Sequence, residues 1–252
     1  MKNKKKLPKV LTVVIASLLS ISLLLGGCGS EPPIEATPAI LWLNGTHAIL
    51  TVSNDCDVQI FGGMKRSIIN TAVELVSLED WWGITSKAEM DKTIDSLVIG
   101  MHNQRFLEEI EDYDINNMSQ SEFEEALKDV DYRLDALYFQ NMFDAYQKFG
   151  DKAILGWDLS RAVQLCANGY IADFYTYEEA TDKAREIGET IQNTFDSWDD
   201  FFASYFYGYV YWSEDDTEDT TSEYAKRIKI YDELKKDSSS PINLDWYLNL
   251  NE

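Results

Sequence analysis

From residue 39 onward the apolar positions recur three and four residues apart, the period of a helix buried on one side. Residues 39–53 are the exception, because Asn44-Gly45 followed by β-branched residues also suits a hairpin. A helix is predicted over 65–78, with Ile68, Ile69, Ala72, Val73, Leu75 and Val76 inward, ending near a turn at Trp81-Trp82-Gly83-Ile84. Ser86-x-x-Glu89 has the form of a capping box and opens a helix expected to run to about Arg105. Its row Ile94/Val98/Phe106 places His102 inward.

A loop at 112–117 separates this from a helix capped by Ser119 or Ser121, with Phe123, Leu127 and Val130 apolar. Residues 132–149 form the next helix and 152–167 another, which Asn168-Gly169 should stop. Thr176-x-x-Glu179 and Ser197-x-x-Asp200 start helices over 177–194 and 198–212. An acidic loop at 213–221, a charged helix to Lys236 and a tail with Trp246 and Tyr247 close the chain. No repeat is present. The expected fold is all-α: a single compact multi-helix domain of about eight helices over 39–236, with a tail at 237–252.

The beginning of the chain has a different pattern. Lys2, Lys4, Lys5, Lys6 and Lys9 precede an apolar run over 10–25, and Leu25-Gly26-Gly27-Cys28 closes it. A positive head, an apolar stretch and small residues before a cut mark a secretory signal, and sixteen residues are short for a spanning helix. Cys28 directly after Leu-Gly-Gly makes residues 1–27 resemble a bacterial lipoprotein signal, which implies lipid on Cys28 and an anchor on the outer side of the cell membrane. Residues 28–38 contain Pro32, Pro33 and Pro38 and read as a semi-extended tether.

Charge narrows the partners. Removing residues 1–27 takes away five lysines and no acid, so the net charge falls from −22 to −27. Such acidity argues against nucleic acid and against electrostatic adhesion to anionic lipid. It suits solubility outside the cell or a basic partner. Cys56 and Cys166 are expected to stay unpaired, since Cys166 falls on an apolar face. Two histidines and no Cys-x-x-Cys make a zinc site of the usual kind unexpected, and no other cofactor is indicated. The acidic run Glu214-Asp215-Asp216-Thr217-Glu218-Asp219 lacks the order of a calcium loop.

Candidate chemistry centres on Leu155-Gly156-Trp157-Asp158-Leu159-Ser160-Arg161. Asp158 and Arg161, three apart on an apolar helix, are placed to pair. The pair is either a buried tie or part of a site in which the Arg161 fork orients an anionic group. His102 is a candidate base. The row Trp198, Phe201, Tyr205, Tyr209, Trp212 suits core packing or a ring-lined site, and Phe202, Phe206, Tyr207 and Tyr211 fall off it. Unless that helix is central, some of these rings form an exposed patch, the mark of a partner surface.

Several segments together resemble a known bacterial family, the one classed as domain of unknown function 1266. They are Trp82-Gly83-Ile84, Gly100-Met101-His102 with Phe106, and Gly156-Trp157-Asp158-Leu159-x-Arg161, followed by Gly169-Tyr170-Ile171, Glu178-Glu179-Ala180 and the Ser197–Trp212 aromatic pattern. The resemblance covers roughly residues 41–212. The family pattern has Gly-His where this chain has Met101-His102, with Gly one place earlier at Gly100. The resemblance implies a helical fold, makes 39–53 a helix, and supplies no activity or ligand.

The residues to locate in the structure are therefore His102, Trp157, Asp158, Arg161, Tyr170, Trp198 and Tyr205. The expectation is a membrane-anchored lipoprotein with a non-catalytic binding or interaction domain, its partner a protein or a small molecule. The rival expectations are an enzyme built around His102, Asp158 and Arg161, and an immunity-type inhibitor of a basic toxin.

Overall fold

The computed structural model describes residues 36–251. The expected signal, Cys28 and most of the expected tether lie outside the described residues. Among these, eleven α-helices and no strand are present: α1 (Pro38–Thr46), α2 (Ala48–Ser53), α3 (Ile68–Trp82), α4 (Lys87–Val98), α5 (Met101–Asp112), α6 (Gln120–Leu127), α7 (Arg133–Phe149), α8 (Leu155–Ile171), α9 (Tyr177–Thr194), α10 (Trp198–Ser213) and α11 (Glu223–Lys236). The all-α expectation holds, with a few more helices than the eight expected. Residues 39–53 are helical, and Gly45 packs against the Trp198 ring instead of turning a hairpin. No described helix is long and apolar enough to cross a membrane.

The helix starts follow the local signals. Ser86, Ser119, Thr176 and Ser197 each accept a hydrogen bond from the backbone N–H three residues on, satisfying a donor the helix cannot use. Ser119 and Thr176 form full capping boxes with Glu122 and Glu179. Glu89 reaches back to Thr85 instead, so that start is a cap without the box.

Helix α8 is the axis of the fold, with α4, α9 and α10 packed around it. It is apolar on most sides, as a central helix must be. Two glycines set its crossing with α10. A Cβ on Gly208 would lie 2.3 Å from the Trp157 Cβ, and one on Gly156 would lie 2.7 Å from the Phe201 carbonyl oxygen. Since α10 is itself central, Phe202, Phe206 and Tyr211 are buried and the expected ring patch does not form there. A second core joins α5, α6 and α7 through Phe106, Phe123, Met142 and Phe143, and Tyr211 of α10 reaches into it. After α11 the chain returns to the main core, where Trp246 donates to the Phe195 carbonyl at 3.1 Å and packs against Trp42.

Three departures from the expected elements have physical causes. The helix expected to reach Arg105 breaks at Gly100, whose φ of 82° is left-handed and readily adopted by glycine. The break starts a new helix, α5, at Met101, and the His102 ring is directed inward as expected, onto the buried Asp158. Helix α8 does not stop at Asn168-Gly169 but runs to Ile171, because Gly169 serves packing: a Cβ there would sit 2.3 Å from the Tyr175 ring. Helix α3 is turned inside out. Glu74 and Leu78 are its buried residues, while Ile68, Ile69, Val73, Leu75 and Val76 face solvent, contrary to the inward row expected.

Candidate functional site

Asp158 and Arg161 do not pair. They head two separate centres on neighbouring strips of α8.

The acid centre is closed. Asp158 is fully buried. Its Oδ2 accepts the backbone N–H groups of His102 at 3.0 Å and Asn103 at 2.9 Å, the first-turn donors of α5. Its Oδ1 lies 2.5 Å from the His102 Nδ1. A carboxylate at a helix N-terminus meets both free donors and the positive end of the dipole. Asn103 returns the bond: its Oδ1 accepts the Ile154 N–H at 2.9 Å and its Nδ2 donates to the Asp151 carbonyl at 2.7 Å. Each of the two helices thus secures the start of the other. The His102 side chain is 15% exposed. Its ring has Asp158 as its hydrogen-bond partner, and no serine, threonine or cysteine hydroxyl or thiol among the described residues bonds to it.

The cation centre differs: its charged donors meet neutral acceptors only, and two of them meet none. Arg161 follows the row Trp157, Arg161, Gln164, away from Asp158. Its guanidinium carbon lies 5.0 Å from the Trp82 ring centre and 5.4 Å from that of Trp157. Nη1 donates to the Gln164 Oε1 at 3.0 Å, while Nε is buried without a partner. Burial pulls the Arg161 pKa down to about 10; the nearby Tyr205 opposes the shift and Arg227 adds to it. Arg227, from α11, donates to the Tyr205 Oη at 3.2 Å and lies 4.5 Å over the Tyr209 ring, with its own Nε buried and unpartnered. The Trp157 Nε1 is likewise buried and unpartnered.

His47, between α1 and α2, borders the same place. Its Nδ1 is 2.9 Å from the Thr51 Oγ1 and its Nε2 has no partner. Burial above all lowers its pKa to about 4, and the Arg161 charge lowers it further, so the ring is neutral at physiological pH. Neither arginine is fully covered, and Trp212, 53% exposed, lies at the rim with its ring tilted against that of Trp157, 5.7 Å away.

No carboxylate among the described residues forms an ion pair with Arg161 or Arg227. Of the other described arginines, Arg66, Arg133 and Arg185 have carboxylate partners, Asp173, Asp216 with Glu218, and Asp182, and Arg105 is exposed to water. In a chain with 44 acidic residues, two partly buried arginines sharing a tyrosine and lacking an acid stand apart. Taking a cation out of water without a counter-ion costs several kcal/mol. Cation–π contacts return up to about 2 kcal/mol when desolvated. The remainder is available to an incoming anion.

Of the residues expected at a site, Trp157, Arg161 and Tyr205 meet here. His102 and Asp158 belong to the acid centre. Tyr170 sits roughly 14 Å beyond Arg161 along α8, beside Phe61, Tyr177 and Arg66. Trp198 donates to the Leu244 carbonyl at 2.9 Å and packs between Trp42 and Trp246, in the core. Sequence reasoning missed Arg227, Trp82 and His47 as site residues. The signal for Arg227 was faint: it is the one arginine in a helix whose other cations are lysines. Cys56 and Cys166 are both free, and burial pushes the Cys166 thiol up to about 12. No three His, Cys, Asp or Glu side chains among the described residues gather as a metal site.

A family model described as Protein of unknown function (DUF1266) matches residues 77–246, from the last turns of α3 into the closing segment. That span holds Trp82, Asp158, Arg161, Tyr205 and Arg227. No curated protein and no solved structure matches the chain.

Proposed function

The chain belongs to the family Protein of unknown function (DUF1266), and we propose that its domain is a non-catalytic binding module for a small oxyanion, a carboxylate or phosphate group. We infer further that lipid on Cys28 holds it at the outer face of a bacterial cell membrane. The observation that carries the binding reading is the pair Arg161 and Arg227, with free buried donors and no carboxylate. Planar guanidinium forks match carboxylate and phosphate oxygens two at a time. The Trp157 Nε1 and the Tyr205 hydroxyl add neutral donors beside them, and the rings of Trp82, Trp157 and Tyr209 fix the forks in place.

A catalytic use is not favoured by the layout. Arg161 lies in a different network from His102 and Asp158, and His102 is committed to orienting α5. The inhibitor reading rests on overall acidity alone, and part of that acidity is already engaged, since Asp216 and Glu218 hold Arg133.

Isothermal titration with inorganic phosphate and with acetate, in chloride-free buffer, tests the binding reading. Saturable one-to-one binding to the parent, reduced at least tenfold in Arg161→Gln and in Arg227→Gln, is the expected result. Absence of binding by either anion overturns it. Anchoring is tested separately: Cys28→Ser should lose labelled palmitate and leave the membrane fraction, and unchanged labelling contradicts it.

A further inference from the structure

Helix α3 exposes the wrong side. At 100° per residue, Leu75, Ile68, Ala72, Val76, Ile69 and Val73 fall within roughly 160° of its circumference. All six are exposed, Ile68 at 79% and Val76 at 59%. The opposite side buries Glu74, whose Oε1 has no partner and whose carboxyl is raised to about 7 by burial. An amphipathic helix normally turns its apolar side to the core. A contiguous apolar face left in water on a folded chain marks a contact surface.

The order of residues on that face specifies the occupant. Ala72 lies at its middle, where a small side chain lets a second helix come close. Lys65 lies at one end and Glu79 with Asp80 at the other, all three exposed. Laid against a copy of itself in antiparallel fashion, with Ala72 and Val73 at the centre, the helix sets Ile68 opposite Val76 and Ile69 opposite Leu75 or Val76. The same arrangement brings Lys65, three residues before the helix begins, to the end of the partner helix that carries Glu79 and Asp80. The face is self-complementary in both apolarity and charge, as an isologous twofold contact requires. A bilayer fits less well, because the two acids flank the face and no row of lysines or arginines borders it, as interfacial helices usually have.

We propose that two copies of this chain associate through α3, antiparallel about a twofold axis near Ala72. The pairing has a consequence for the cation centre, because Trp82 at the end of α3 is one of the two rings holding Arg161. A partner that fixes α3 also fixes that ring. Self-association is independent of the oxyanion reading and stands or falls by a different measurement.

Sedimentation velocity of the full chain in detergent provides the test, with far-UV circular dichroism to verify folding. The parent should sediment as a dimer. Val76→Asp, an exposed change that leaves the helix intact, should weaken self-association at least tenfold. Lys65→Glu should weaken it less, and adding Glu79→Lys and Asp80→Lys should restore it. A monomeric parent, or a Val76→Asp variant that remains dimeric, overturns the proposal. A charge exchange that fails to restore pairing overturns the antiparallel arrangement. A monomer that co-sediments with phosphatidylglycerol vesicles, and ceases to in Val76→Asp, assigns the face to the bilayer instead.

Discussion

Asp158 and Arg161 stand three residues apart on one helix and meet opposite fates. The acid is completely buried, yet its oxygens receive two backbone donors and an imidazole. The base is less buried, yet its Nε has no partner and no acid answers its charge. Buried polar groups in folded chains are nearly always satisfied, and the exceptions call for an explanation. A network closed by the protein's own atoms is structure. A network of donors closed by nothing in the chain is a place for something else.

The largest expected break concerns the closed centre. Asp158→Ala orphans three donors at the start of α5 and should lower stability by about 3–5 kcal/mol, read as a fall in the urea midpoint. A variant that melts with the parent would show that α5 does not depend on this carboxylate. Next comes the helix crossing that both centres share. Gly208→Ala drives a methyl into the Trp157 Cβ, a site with no flexible end to yield, and should cost about 3 kcal/mol. Because Trp157 backs Arg161, the same change should weaken phosphate binding; intact affinity would uncouple the crossing from the site.

A smaller effect lies at the border of the cation centre. His47 is lowered from 6.5 to about 4, so the stability it contributes is present above about pH 6.5 and lost as pH falls through about 4. Glu74 is raised from 4.5 to about 7, so its contribution is present below about pH 4.5 and lost as pH rises through about 7. Between about pH 4.5 and 6.5 the two slopes oppose, and the parent's stability should be nearly flat. Glu74→Gln should leave a rise with pH across that window of about 2–3 kcal/mol. A flat profile in the variant would mean that His47 is not held neutral.

What was legible in the sequence follows from how far each cause reaches along the chain. The starts of α4, α6, α9 and α10 were readable because a cap and its partner are three residues apart. The apolar character of α8 was readable from its residues; that it is the axis of the fold came only with the structure. The break at Gly100 was not, since the Ile94/Val98/Phe106 row runs straight through it and only the αL backbone ends the helix. Spacing showed that Asp158 and Arg161 could pair; it could not show that a helix start 56 residues away would take the acid first. The outward face of α3 was read as inward because periodicity identifies an apolar side and says nothing about what covers it.

The smallest expected stability change is also the most informative. Arg161→Gln removes a charge that the fold never compensates, so in phosphate-free urea its unfolding free energy should stay within about 1 kcal/mol of the parent. Added phosphate should raise the parent's urea midpoint and leave that of the variant unmoved. A loss of 3–5 kcal/mol without phosphate would make Arg161 a structural tie like Asp158. An equal gain in both proteins would place the anion elsewhere. Either result contradicts the division of α8 into a closed acid centre and an open cation centre.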